Sequence, residues 1–250
     1  MGEILDDLAA QQAELDGLLA GLDDDGWAWP SPCEGWDVAD VVLHLAQTNE
    51  MGTASARGRF KEYLEGLTHV RGGVGDVDAG AELMVRAERG RPNAELLARW
   101  RDGVAELQAA LAATDPHERV DWVAGQLSVR TLSTTRLAET WIHTGDVADA
   151  LGVDLAPAAR LEHIARLAWR TLPYAFARSG RELSAPVTFD LVGPKGAPWQ
   201  FVAPDAATVV QGSGVELCLV AARRVAPEDT SLRATGPDGD AVLELVRTYA

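Results

Sequence analysis

Cysteine is nearly absent from this chain of 250 residues: there are two, Cys33 and Cys218, far apart. Two such residues do not make a disulfide framework, and the pattern suits the reducing cytoplasm, which is the expected location. Long apolar runs are missing as well; no stretch approaches the roughly 18–20 residues of a membrane span. Positive charge is scarce, with 22 Lys and Arg against 38 Asp and Glu, so the net charge is −16. A nucleic-acid binder needs a basic face and an anionic membrane repels an acidic surface, so no nucleic acid and no membrane is expected among the partners. The opening Met1-Gly2-Glu3-Ile4-Leu5-Asp6-Asp7 is acidic where a secretory signal is basic. It also has Asp6 and Asp7 where a myristoylation motif wants Ser or Thr. There is no Ser-His-Asp order, no phosphate loop, no Gly-rich dinucleotide turn, no internal repeat and no low-complexity tract.

What is present is an ordinary soluble composition, hydrophobic 47% and charged 24%, in a chain long enough for one large domain or a main domain plus a small one. Residues 3–22 carry Ile4, Leu5, Leu8, Leu15, Leu18, Leu19 and Leu22 near helical spacing. A Trp- and Pro-rich loop over 27–36 follows, and then Asp37 is a good N-cap with Asp40 at N3, near the positive end of the helix dipole. That helix is expected to run through Val41, Val42, His44 and Leu45 to about Ser55. The Gly-rich stretch 66–79 predicts a flexible loop, and helical pattern resumes over 80–89. Pro92 opens a helix through Trp100 to Leu111 that Thr114-Asp115-Pro116 closes. Ser128 caps a helix over 129–151 that Gly152 ends, and a further helix over 158–178 carries Pro173 as a kink. After 183 the character changes: strands are expected at 187–192, 199–202 and 209–211, with helices at 215–223 and 239–249. The expected fold is therefore mainly α. A helical bundle over 1–180 leads into a small α+β domain over 181–250.

Chemistry concentrates in three residues. Glu139 and His143 stand at i and i+4, on one face of the 129–151 helix, where a carboxylate and an imidazole can grip one ion. His44 sits among apolar neighbours in Val41-Val42-Leu43-His44-Leu45, where an unpaired polar group costs about 1–3 kcal/mol. Together they make a His₂Glu set, which leaves a coordination position open for water or substrate. Asp146, three beyond His143, can orient an imidazole or hydrogen-bond a bound water; it reads equally as a solvated residue in the last turns. Arg136 and Thr140 can supply the polar side of this face.

The run Cys33-Glu34-Gly35-Trp36-Asp37-Val38-Ala39-Asp40-Val41-Val42-Leu43-His44-Leu45, with Glu139, His143 and Asp146, resembles the metal-binding N-terminal domain of mycothiol-dependent maleylpyruvate isomerases, within the DinB-like superfamily. The later residues resemble the small α+β domain, likened to sterol-carrier folds, that follows it. The resemblance implies an up-and-down bundle of four long helices holding one divalent ion. Zinc suits His, carboxylate and sulfur together. It also implies mycothiol as a low-molecular-weight thiol cosubstrate. The thiolate adds to an electrophilic carbon, and then leaves after bond rotation (an isomerase) or stays attached (an S-transferase).

In that family an arginine of the C-terminal domain reaches the active site, and Arg223 or Arg224 is the counterpart here. Arginine suits a carboxylate because its fork engages two oxygens; the bland alternative is a solvated pair at a helix end. Cys33 reads as a packed loop cysteine and Cys218 as core. His69, His117 and His163 read as loop or surface residues, and Trp27, Trp29 and Trp36 as packing over one end of the bundle. The expected function is a metal- and thiol-dependent isomerase or S-transferase acting on a small, acidic electrophile, as a monomer or homodimer. The alternatives are a metal-dependent hydrolase or lyase using bound water, and a non-enzymatic protein that binds a metal and an apolar ligand.

Overall fold

The structure is a computed structural model that describes residues 1–67, 77–123 and 125–248. Gly72, Gly73, Gly75 and His69, part of the segment read as a flexible loop, lie outside these residues. The chain divides into two compact units, Met1–Leu155 and Ala156–Ala250.

The first unit contains α1 (Gly2–Leu19), the single turn α2 (Asp24–Trp27), α3 (Val38–Ala56), α4 (Phe60–Gly66), α5 (Val77–Glu88), α6 (Asn93–Ala113), the strands β1 (Arg119–Trp122) and β2 (Gly125–Ser128), and α7 (Val129–Ala150). Four of these helices are long. α3 packs on α6 and α7, and α1 packs on the same two, which closes a four-helix bundle. α3 is apolar on nearly every side, with Val38, Val41, Val42 and Leu45 fully buried. A helix of that kind occupies the middle of a domain. It starts where the sequence predicts: the Asp40 backbone N–H donates to Asp37 Oδ1 at 2.9 Å, and Asp40 Oδ2 accepts from the Asp37 backbone N–H at 3.4 Å. Ser128 caps α7 by accepting from the Thr131 backbone N–H at 3.2 Å, and Gly152, at φ 64°, follows its C-cap.

Several elements here escape the sequence pattern. α4 turns part of the stretch before the Gly-rich segment into helix, anchored by the buried Phe60. The antiparallel pair β1–β2 pairs Val120 with Leu127 and precedes the N-cap of α7. Its strands have four residues each and bury only Val120 fully, so they show no alternation to read.

The second unit contains α8 (Leu161–Arg170), α9 (Leu172–Arg178), β3 (Val187–Val192), β4 (Pro198–Phe201), β5 (Thr208–Ser213), α10 (Gly214–Ala221), β6 (Arg233–Thr235) and α11 (Gly239–Leu245). Its sheet has the order β4-β3-β5-β6, antiparallel except for the parallel pair β3–β5. The division between units falls at 155/156 and not after 180, because α8 packs on α10 and β4. The expected helix over 158–178 is two helices. Pro173 sits in the first turn of α9, where its missing N–H is harmless. Trp199 is 2% exposed and lies against the backbone of Gly193 and Gly214; a Cβ at either would stand 2.3 Å from the indole.

Candidate metal centre

α3 brings His44 against Glu139 and His143 of α7. His44 Nε2 lies 2.7 Å from Glu139 Oε1, and His143 Nε2 lies 3.5 Å from the same oxygen. The two imidazole rings meet edge to face, with centroids 5.0 Å apart. Both histidines are 8% exposed, and Glu139 is half-buried. One donor atom from each of the three residues falls within 4.8 Å of the others. Bonds of about 2.0–2.2 Å at tetrahedral angles put ligand atoms roughly 3.3 Å apart. The His143–Glu139 separation already matches this edge, and the His44–Glu139 hydrogen bond would have to open by roughly half an ångström. The chemistry and spacing of the donors therefore fit a divalent ion.

Asp146 is brought to the back of His143. His143 Nδ1 and Asp146 Oδ2 are 2.9 Å apart, and Asp146 is 2% exposed. A carboxylate on Nδ1 keeps a proton on that nitrogen, which leaves Nε2, the nitrogen facing Glu139, as the one to bind an ion. The solvated reading of Asp146 is set aside by this burial. Cys33 is the residue the sequence reading underrated. Its thiol donates to Asp146 Oδ2 at 3.2 Å and lies 3.9 Å from His143 Nδ1. The signal was its place in the loop immediately before the helix that carries His44. Cys33, His143 and Asp146 form a second cluster able to hold an ion. That cluster would use the nitrogen that Asp146 already holds, so the His44–Glu139–His143 set is the better site. Trp36 also reaches the centre: its ring centroid is 5.2 Å from that of His44, and its Nε1 donates to Glu82 at 2.6 Å.

Electrostatics sort the ion-free groups. Burial dominates at His44 and lowers its pKa, against the pull of Glu139. At Glu139 burial acts to raise the pKa, but hydrogen bonds from His143 and His44 outweigh it and hold the carboxyl well below its usual range. Burial opposes charge on His143 too, yet Asp146, Cys33 and Glu139 together hold its pKa well above that of a free imidazole. Uptake of an ion at this set would displace a proton from His143 and weaken as pH falls.

Arg223 and Arg224 lie in the second unit, beyond α10. Arg223 has φ 61° and donates from Nη1 to the Glu244 carbonyl at 2.8 Å; Arg224 Nη1 donates to the Ala222 carbonyl at 3.0 Å. Both side chains are exposed. Cys218 is fully buried, and burial pushes its thiol pKa up, out of the reactive range. No helix among the described residues is long and apolar enough to cross a membrane.

Residues 8–148 match the family described as Mycothiol maleylpyruvate isomerase N-terminal domain. The chain is 34% identical to uncharacterised proteins from two strains of Mycobacterium tuberculosis, CDC 1551 / Oshkosh and ATCC 25618 / H37Rv, over all of this chain and 96% of each relative. Among solved structures it is similar to a mycothiol-dependent maleylpyruvate isomerase, with a TM-score of 0.64 at 18% identity over 95% of both chains. A mutant of such an isomerase gives 0.63 at 17% identity, again over 95% of both chains. At these identities the structural likeness establishes a shared fold.

Proposed function

This chain belongs to the mycothiol maleylpyruvate isomerase N-terminal domain family, and from that premise we propose that it is a metal- and thiol-dependent isomerase or S-transferase acting on a small, acidic electrophile. The observation that carries the reading is the convergence of His44, Glu139 and His143 from two helices on one point, a set of three protein donors among the described residues. A structural site closes its fourth position with protein; three ligands leave one open. A divalent ion there, with zinc the best fit to the donors, would lower the pKa of a bound thiol so that it is a nucleophile at neutral pH. Glu139 supplies negative charge, and Asp146 holds His143 in register. The thiolate, mycothiol in this reading, adds to an electrophilic carbon, and the bond formerly double becomes free to rotate. Expulsion of the same thiolate restores the double bond and yields the isomer; retention yields the S-conjugate.

A thermal-shift screen with mycothiol and other small thiols tests the reading. The expected result is stabilisation by mycothiol that requires the ion. Stabilisation by the ion with no response to any thiol would favour a hydrolase or lyase using bound water.

An external thiol needs no protein cysteine. Cys33→Ser is expected to retain the ion and to keep turnover within about tenfold of wild type, since a hydroxyl can replace the thiol as donor to Asp146. Lost turnover with the ion retained would make Cys33 the nucleophile.

Arg223 or Arg224 is proposed to receive the substrate's acidic group. The chain's net charge of −16 repels a carboxylate unless positive charge meets it locally. Charge-assisted bonds are worth roughly 1.5–3 kcal/mol, so Arg223→Ala or Arg224→Ala should raise KM by about ten- to a hundredfold with ion content unchanged. Wild-type kinetics in both variants would reduce the pair to helix-end charges.

A further inference from the structure

Arg136 is the only buried arginine or lysine among the described residues, at 2% exposure. It has no carboxylate within ion-pair distance among them, whereas several other arginines of the first unit do. Arg99, for example, bridges Glu50 and Glu88 at 2.6 and 2.7 Å. Arg136 makes one described hydrogen bond, from Nη2 to Thr48 Oγ1 at 2.8 Å, and its Nε is sealed without an acceptor. Thr48 in turn donates to the His44 carbonyl at 2.9 Å. Arginine cannot shed its proton to escape such a place, and a buried charge of this kind costs several kcal/mol.

The sequence makes a second concession to the same side chain. Gly52, in the middle of α3, is where an added Cβ would come within 3.1 Å of Leu107 Cδ1 and 3.4 Å of Arg136 Cδ. Glycine in a helix interior is less favourable than alanine by about 1 kcal/mol. The gap at Gly52 seats the stem of Arg136. An apolar residue on α7 would seal this interface with neither penalty.

The location gives the charge a use. Along α3 and α7, His44 faces Glu139, and Thr48, one turn later on α3, faces Arg136, one turn earlier on α7. The helices are thus antiparallel here, and the guanidinium lies one turn, about 5.4 Å, along the same interface from the three donor atoms. Glu139 is the nearest offset to its charge. An ion at the His44–Glu139–His143 set would engage that carboxylate and leave Arg136 beside a positive centre.

We propose that Arg136 is the receptor for a carboxylate of the substrate, inside the first unit and one helical turn from the metal ligands. The substrate class is a small carboxylic acid whose electrophilic carbon lies within a few bonds of the carboxylate. This rests on reading the three donors as a metal centre.

The test is binding of maleate, without thiol and so without turnover, to the metal-loaded full chain by titration calorimetry. Wild type is compared with Arg136→Met, and each protein is checked for metal content, mycothiol-dependent thermal shift and Tm. Arg136→Met should keep its metal and its response to mycothiol, lose maleate affinity by roughly ten- to a hundredfold, and melt no lower than wild type. A merely structural arginine would give the opposite pair: a lowered Tm and maleate affinity within twofold of wild type. That result, or a wild-type protein that binds metal and mycothiol but not maleate, overturns the proposal. Should Arg136→Met fail to fold, Arg136→Lys and Gly52→Ala serve in its place. The first keeps the charge without the fork and the second crowds the stem, so each is expected to weaken maleate binding with metal retained; unchanged affinity in both overturns the proposal. Absence of metal, or of any mycothiol response, in wild type would instead sink the metal-thiol reading.

Discussion

His44→Ala protein is expected to purify with less than about a tenth of the divalent ion held by wild type, and to lose turnover by at least roughly a thousandfold. Removing even a residue that only orients a metal ligand lowers affinity about 10–100-fold, so removal of one ligand out of three goes further. On the proposed reading the rate would follow the ion, because the nucleophile's activation at neutral pH would depend on it. The fold should survive. α3 keeps its fully buried Val41, Val42 and Leu45, and alanine is a better helix former than histidine. Metal analysis and circular dichroism on the same sample separate the two effects. Asp146→Asn supplies the graded comparison: it retains an acceptor for His143 Nδ1 and should lose only about 10–100-fold in ion affinity. Full occupancy in the His44→Ala variant would move the site to the Cys33–His143–Asp146 cluster.

Gly236→Ala is expected to lower the melting temperature of the second unit by more than about 10 °C, or to abolish soluble expression. Gly236 has φ 99°, and an added Cβ would stand 2.0 Å from the Ala207 carbonyl oxygen and 2.7 Å from Thr208 Cα. Both obstacles are backbone, so no side-chain rotation relieves them. The neighbouring pairings of β5 with β6, and the hydrogen bond from the Asp238 N–H to Thr208, depend on that approach. Overpacking and backbone strain each cost about 1–3 kcal/mol, and a domain of this size loses roughly 4–8 °C per kcal/mol. Gly152→Ala is the control. It also has a positive φ, 64°, but its Cβ would meet nothing within 4 Å, so only about 1–2 kcal/mol of conformational cost remains. Thermal unfolding of the two variants in parallel decides the matter; equal shifts would remove the steric argument.

The four long helices were legible because their signals are local and redundant. Asp37 and Ser128 cap where residue type says they should, and the apolar spacing of α1, α3 and α6 follows burial. The convergence of the three candidate donors was legible for a different reason: the i,i+4 pair of Glu139 and His143 fixes one face, and the resemblance of the Cys33–Leu45 run supplies His44. Contacts made across the fold were not legible. Nothing in the spacing says that the Cys33 thiol reaches Asp146, over a hundred positions away, or that Trp36 packs on His44. The unit to which α8 belongs is likewise not a local signal, since membership depends on which partner a helix packs against and not on its own periodicity. β1, β2 and β6 are too short to carry a period of two.

The near-total burial of α3 bears on how the site would take up an ion. Sixteen of its 19 residues are buried, His44 among them. Backbone amides in such a helix exchange with solvent only when the whole unit opens, an event costing about 5–15 kcal/mol in ordinary domains. Deuterium uptake along α3 should therefore be slow with or without metal, and chelation should leave its protection nearly intact. An ion taken up at this set would enter a finished cage instead of organising one, unlike the small zinc domains that are unfolded without their metal. A preformed cage would select an ion by size and preferred geometry, and it could lose and regain that ion many times within the lifetime of one folded chain.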